Sequence, residues 1–163
     1  HWFNGDMPAR RFTPAGPDHA QVAACAGIAD YIDALYHYHS RAGRDVAGRA
    51  AVIREAMRAR ERALMRPLLA YLEERPDLRL LGPRDARRRV PTFALDLGGR
   101  PADAAASALA RHGIMAGGGD FYAPRTLDAL GIDPDRGVLR LSFLHYTAEQ
   151  EIEKLIVALD AEV

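Results

Sequence analysis

Residues 111–151 read RHGIMAGGGDFYAPRTLDALGIDPDRGVLRLSFLHYTAEQE, and this stretch decides the fold. Within it the run 137–144, GVLRLSFL, alternates in character. A strand there places Leu139, Leu141 and Phe143 on one face and Val138, Arg140 and Ser142 on the other. Arg140 then points away from the apolar side. Arginine keeps its charge and offers a planar fork of donors, so on a strand it needs water, an acidic neighbour or an anionic ligand. Upstream, a brief strand is expected at 114–116, and Gly117, Gly118 and Gly119 free the backbone for a tight loop beside Asp120, Phe121 and Tyr122. The glycines lack the Gly-Lys-Ser/Thr ending and helix start of a phosphate-binding loop. Asp120 and His145 flank the same expected face. They form a weak candidate acid/base pair, set against the plainer assignment of both as capping and edge residues.

Working outward, a closing helix is expected over 150–161, with Ile152, Leu155, Ile156 and Leu159 as its apolar stripe and Lys154 projecting from the opposite side. Gly98-Gly99 turns the chain into a helix over 101–112, with Pro101 at a tolerated first-turn position. Strands are expected at 78–81 and 90–97, the second with Phe93, Leu95 and Leu97 on one face. Between them Arg84, Arg87, Arg88 and Arg89 form the strongest basic cluster, read as a solvated loop. Nucleic-acid binding is not expected, because aromatic partners and net positive charge are both missing. Helices over 47–74 and 19–38 precede the strands. The fold class is α+β: a small, mostly antiparallel sheet with helices packed on one face, burying Phe93, Leu95, Ile114, Leu139 and Leu141.

The 163 residues carry no formal net charge and are 48% hydrophobic, an ordinary soluble composition. No run of apolar residues approaches a membrane span, and no signal pattern opens the chain, so a cytoplasmic location is expected. The single cysteine, Cys25, excludes an internal disulfide and is expected to be a buried small hydrophobe on the 19–38 helix. That helix carries Val22, Ala26, Ala29, Ile32 and Tyr36 on one face. His37 and His39 point to different faces of a helix end, with no further ligand in the following loop, so no metal site is expected. Asp18 is expected to cap the helix, with His19 exposed in its first turn. Residues 1–18 hold Gly5, Pro8, Pro14, Gly16 and Pro17 and read as an extended arm.

The order GGDFYAPRTLDAL, then GVLRLSFLHYT, resembles the C-terminal small domain of fold-type I pyridoxal-phosphate enzymes of aminotransferase class V, especially cysteine desulfurase-like proteins. The resemblance places Arg140 on the arginine that holds the substrate's α-carboxylate and Tyr146 on the tyrosine six residues later. Phe121 and Tyr122 would line the substrate side. Tyr122 stands at the position of the catalytic cysteine, and a phenol cannot take up sulfur as a thiolate does, so classical desulfurase chemistry is not expected. RFTPAGPDH resembles the segment near the cofactor at the dimer interface, where only the backbone of Gly16 could make the phosphate contact. Residues 1–45 would then be an arm and helix packing on a large domain, and 46–163 the small domain.

The resemblance implies pyridoxal phosphate in the full-length protein, an amino-acid substrate, an N-terminal cofactor-binding domain and a homodimer. Lys154 is the only lysine and is read as a surface residue. The chain alone is therefore expected to lack the Schiff-base amine, to bind no cofactor and to be inactive, as a fragment of the enzyme would be. The alternative is a complete, non-catalytic module for homodimerisation or protein interaction.

Overall fold

The computed structural model describes residues 6, 8 and 18–163, and the chain divides into two compact units, His1–Ala56 and Met57–Val163. Gly16, expected at the phosphate contact, and most of the N-terminal arm lie outside the described residues. In the first unit, α1 (His19–His39) starts where Asp18 Oδ1 accepts the N–H groups of Ala20 and Gln21 at 3.0 and 3.2 Å. This is the expected cap. The helix ends at Ser40, and the buried Tyr36 donates its hydroxyl to the Ala42 carbonyl at 2.6 Å, closing the turn into α2 (Val46–Glu73). Arg49 clasps the Asp33 carboxylate with both arms of its fork, at 2.8 and 3.0 Å.

Residues 19–31 of α1 are exposed throughout, Val22, Ile28 and Tyr31 among them. Cys25 is exposed with them, against the expectation of burial. Its small size and apolar neighbours suit a packed position, but Cys25 and the residues on either side of it on the helix are exposed. His37 and His39 are exposed in its last turn.

In the second unit β1 (Arg79–Leu81), β2 (Thr92–Asp96), β3 (Gly117–Gly119) and β4 (Val138–Ser142) form a sheet in the order β1-β2-β4-β3, each neighbouring pair antiparallel. Alternation sorts the side chains as read from sequence. Leu80, Phe93, Leu95, Leu139 and Leu141 turn to one face and are buried with residues of α2, α3 (Ala102–Arg111) and α5 (Glu149–Glu162). On the other face Val138 joins Leu127 of α4 (Pro124–Ala129) and Ile132 in a smaller buried cluster, with Leu81, Ala94 and Phe121 packed against it. The α+β architecture is the expected one. None of the helices is long and apolar enough to cross a membrane among the described residues.

The strand expected at 114–116 is absent, and the strand beside β4 is the glycine run itself. Gly117, Gly118 and Gly119 pair with Arg140, Leu139 and Val138. The reason is space: a Cβ on Gly118 would lie 2.3 Å from the Ala102 backbone at the start of α3. Gly118 therefore serves close packing of helix on strand rather than loop freedom.

Surface ion pairs lead to an expected weakening of this fold in acid. Hydrogen bonds from Arg49, Arg75 and Arg87 hold Asp33, Asp77 and Asp85 below the ordinary value of 3.8, and the bond from His112 holds Glu162 below 4.5. Because each folded-state value is depressed, the contribution is complete above the unfolded value and is lost as pH falls through the folded one. The melting temperature is expected to be level near neutrality and to decline once the pH drops below about 4. A calorimetric series that stays level down to pH 2 would show these pairs to be energetically silent.

Candidate functional site

The outer face of β4 carries the polar residues that the inner face excludes. Arg140 is exposed there, flanked in register by Ala94 of β2 and Gly117 of β3. Its guanidinium carbon sits 4.0 Å from the centroid of the Phe121 ring. A cation over an aromatic face is attracted by the ring quadrupole and held in orientation, while the in-plane N–H groups stay available. Among the described residues no carboxylate pairs with Arg140. Two positions along the strand, Ser142 Oγ lies 3.3 Å from Thr92 Oγ1 of β2, so hydroxyls continue the polar row beyond the arginine.

Phe121 reaches this place through its backbone. Phe121 and Tyr122 have φ of 51° and 59°, a left-handed pair of bulky residues, which is uncommon and costs conformational energy. The turn is tied by the Tyr122 N–H, which donates to Asp120 Oδ1 at 3.1 Å. It folds the Phe121 ring back against β3, where a Cβ on Gly117 would be 3.1 Å from two ring carbons. Gly117 thus makes room for the aromatic platform under Arg140. The same turn throws Tyr122 fully into solvent.

The remaining candidates go to different places. Asp120 is engaged with the backbone of its own turn. The carboxylate facing His145 is that of Glu61 on α2, with Nδ1 and Oε1 3.8 Å apart and both side chains about four-fifths covered. Next to it Arg60 of α2 donates to the Thr147 carbonyl at 3.2 Å and to Glu149 Oε1 at 2.6 Å, fastening the 144–149 segment to the helix. No local sequence signal links Glu61 to His145, since only tertiary packing brings them together. Tyr146 is exposed. Lys154 is exposed on α5, its Nζ beside Gly113 at the end of α3, in the helix layer and so on the opposite side of the sheet from Arg140. Among the described residues no three His, Cys, Asp or Glu side chains are grouped to hold a metal ion.

The model of the family "aminotransferase class-V" matches residues 49–155. A nonribosomal peptide synthetase-like enzyme of Aspergillus fumigatus is 33% identical over 108 residues, covering 63% of this chain and 7% of its own length. A cysteine desulfurase of Dickeya dadantii is 30% identical over 152 residues, 93% of this chain and 31% of its own. Among solved structures, the apo cysteine desulfurase of Thermococcus onnurineus superposes with a TM-score of 0.58 at 25% identity, covering 72% of this chain and 29% of that one. The chain therefore spans less than a third of the length of each of these relatives. Its small antiparallel sheet with helices on one face has the architecture of the C-terminal domain of fold-type I pyridoxal-phosphate enzymes. By the match over residues 49–155 the chain belongs to the aminotransferase class V family.

Proposed function

We propose that this chain is the substrate-binding lobe of a pyridoxal-phosphate-dependent enzyme that acts on an amino acid. Arg140 holds the substrate's α-carboxylate, Phe121 keeps its fork in the plane that a carboxylate needs, and Tyr122 lines the approach. The observation that carries this reading is the exposed guanidinium, seated on an aromatic ring and without an acid partner among the described residues. A bidentate pair with a carboxylate is the strongest contact such a group makes.

The residues present do not by themselves fit the cofactor. Its internal Schiff base needs a lysine amine, and Lys154 lies across the sheet from Arg140, so in this reading the amine comes from another part of the enzyme. Sulfur transfer is disfavoured because segment 117–125 contains no thiol and Cys25 belongs to the other unit. Transamination, elimination or a lyase reaction remains, each beginning with an oriented amino acid.

The test is to assay the full-length enzyme against a panel of amino acids that includes cysteine. Turnover without protein-bound persulfide is expected. Persulfide that survives Cys25→Ala but needs the 117–125 segment would overturn the chemical assignment. The exposed Val22, Ile28 and Tyr31 favour a second reading, a non-catalytic module for homodimerisation or interaction. The same panel decides it, because amino-acid turnover that depends on Arg140 contradicts a non-catalytic role.

A further inference from the structure

Beside β1, the helix α2 and the 83–90 segment line a cavity of about 700 Å³. Its charged residues are Arg58, Glu61, Arg62, Arg87, Arg88 and Arg89, five guanidiniums against one carboxylate. That carboxylate already faces His145, and Arg87 is engaged by both oxygens of Asp85 at 3.0 and 3.2 Å. The Arg58 and Arg88 guanidiniums make no hydrogen bond or ion pair among the described residues. Of the basic cluster, Arg84, Arg87 and Arg88 are exposed as the sequence suggests, and Arg89 alone departs from the solvated loop.

Arg89 is the fixed member of the group. Its guanidinium lies 4.2 Å over the Phe93 ring and donates to the carbonyls of Pro83 at 2.7 Å and Thr92 at 2.9 Å, while its Nε is buried with no partner. Carbonyls satisfy donors without neutralising charge. Burial accordingly depresses the Arg89 guanidinium from its ordinary value, with no acid to offset it.

Cations of one sign gathered in a concavity with low-dielectric walls repel one another and concentrate counterions. The volume suits a small molecule, since such sites run from about 300 to 1,000 Å³, and Met65, Leu81 and Val90 supply apolar wall. No aromatic side chain lines it, so the stacking platform of a single-stranded nucleic-acid site is missing. A single carboxylate would leave most of the charge unmatched, whereas a phosphate group brings close to two charges and three acceptor oxygens.

We propose that this cavity binds a small phosphate-bearing anion, a phosphate monoester or a diphosphate, with Arg58 and Arg88 as the free forks and Arg89 as a fixed positive charge. The site is separate from the proposed carboxylate site, because Arg140 is not among its lining residues.

The experiment titrates inorganic pyrophosphate into the full chain by calorimetry at constant ionic strength. Saturable one-to-one binding is expected, weakened at least about tenfold by Arg58→Ala with Arg88→Ala, since a lost hydrogen bond to a charged group is worth that factor or more. Arg66→Ala, on the same helix but outside the cavity, and Arg140→Ala are each expected to leave the affinity within about twofold. Absence of saturable binding overturns the proposal, as does an equal loss in Arg66→Ala, which would reveal only diffuse surface charge. A single-stranded oligonucleotide that binds more tightly than pyrophosphate and loses affinity with the same pair would replace the small ligand by nucleic acid.

Discussion

Replacing Arg140 by alanine in the proposed amino-acid enzyme is expected to lower kcat/KM for its preferred substrate by about 10- to 150-fold. That range corresponds to about 1.5–3 kcal/mol for a lost charged hydrogen bond. The fold should hardly notice. Arg140 is exposed on the outer face, its ring contact is with Phe121, and the buried residues of β4 are Val138, Leu139 and Leu141. The stability change is expected to stay within about 1 kcal/mol, the scale of an exposed cation–π contact. Arg140→Lys should recover only part of the loss, because an ammonium is a point charge and cannot reproduce the planar two-point contact. A substrate analogue lacking the α-carboxylate discriminates further: with it, the parent and Arg140→Ala should converge. Unchanged kcat/KM for the amino acid itself would remove Arg140 from the site.

The alternation of GVLRLSFL made β4 legible, and with it the outward placement of Arg140, because a half-buried strand writes its two faces into the sequence with period two. The apolar stripe of Ile152, Leu155 and Leu159 made α5 legible for the corresponding helical reason. Three features were not legible, because none of them is written in the periodicity of its own segment. Glycine has no side chain to show a period, so β3 looked like a loop. Cys25 was expected to be buried because its apolar neighbours imply a covered face, yet a stripe specifies only that a face is apolar, not what covers it. Arg89 looked solvated among its basic neighbours, but its guanidinium stacks on the Phe93 ring while its fork takes the Pro83 and Thr92 carbonyls. The site shows the same division. Sequence supplied Arg140, Phe121 and Tyr122 in one stretch, whereas the stacking of Arg140 on Phe121 rests on left-handed backbone at 121 and 122 and on the room left by Gly117.

Gly118→Ala is expected to be severely damaging to the second unit, on the scale of Gly137→Ala, whose added carbon would likewise meet backbone. The added carbon would lie 2.3 Å from the Ala102 carbonyl carbon and oxygen and 2.4 Å from the Asp103 nitrogen, and backbone atoms cannot rotate away as a side chain can. Nor can α3 readily retreat. Its first residue is buried and donates its N–H to the Arg136 carbonyl at 3.0 Å, and Leu109 farther along is fully buried in the core. The cheaper response is for β3 to part from β4, giving up the pairing of Gly118 with Leu139 and of Gly117 with Arg140. Overpacking a core costs about 1–3 kcal/mol when side chains can adjust; against fixed backbone the expectation is about 3 kcal/mol or more. For a unit of this size that is a fall in melting temperature of roughly 10–25 °C. The control is Gly27→Ala in α1, where an added Cβ meets nothing within 4 Å and helix propensity favours alanine by about 0.5–1 kcal/mol, so stability should hold or rise. Because β3 also positions Phe121 beneath Arg140, Gly118→Ala should weaken amino-acid binding even at temperatures where the chain remains folded. A Gly118→Ala protein that melts within a few degrees of the parent and binds substrate as well would show that β3 does not hold α3 at this distance, and the geometry assigned to the Arg140 site would fall with it.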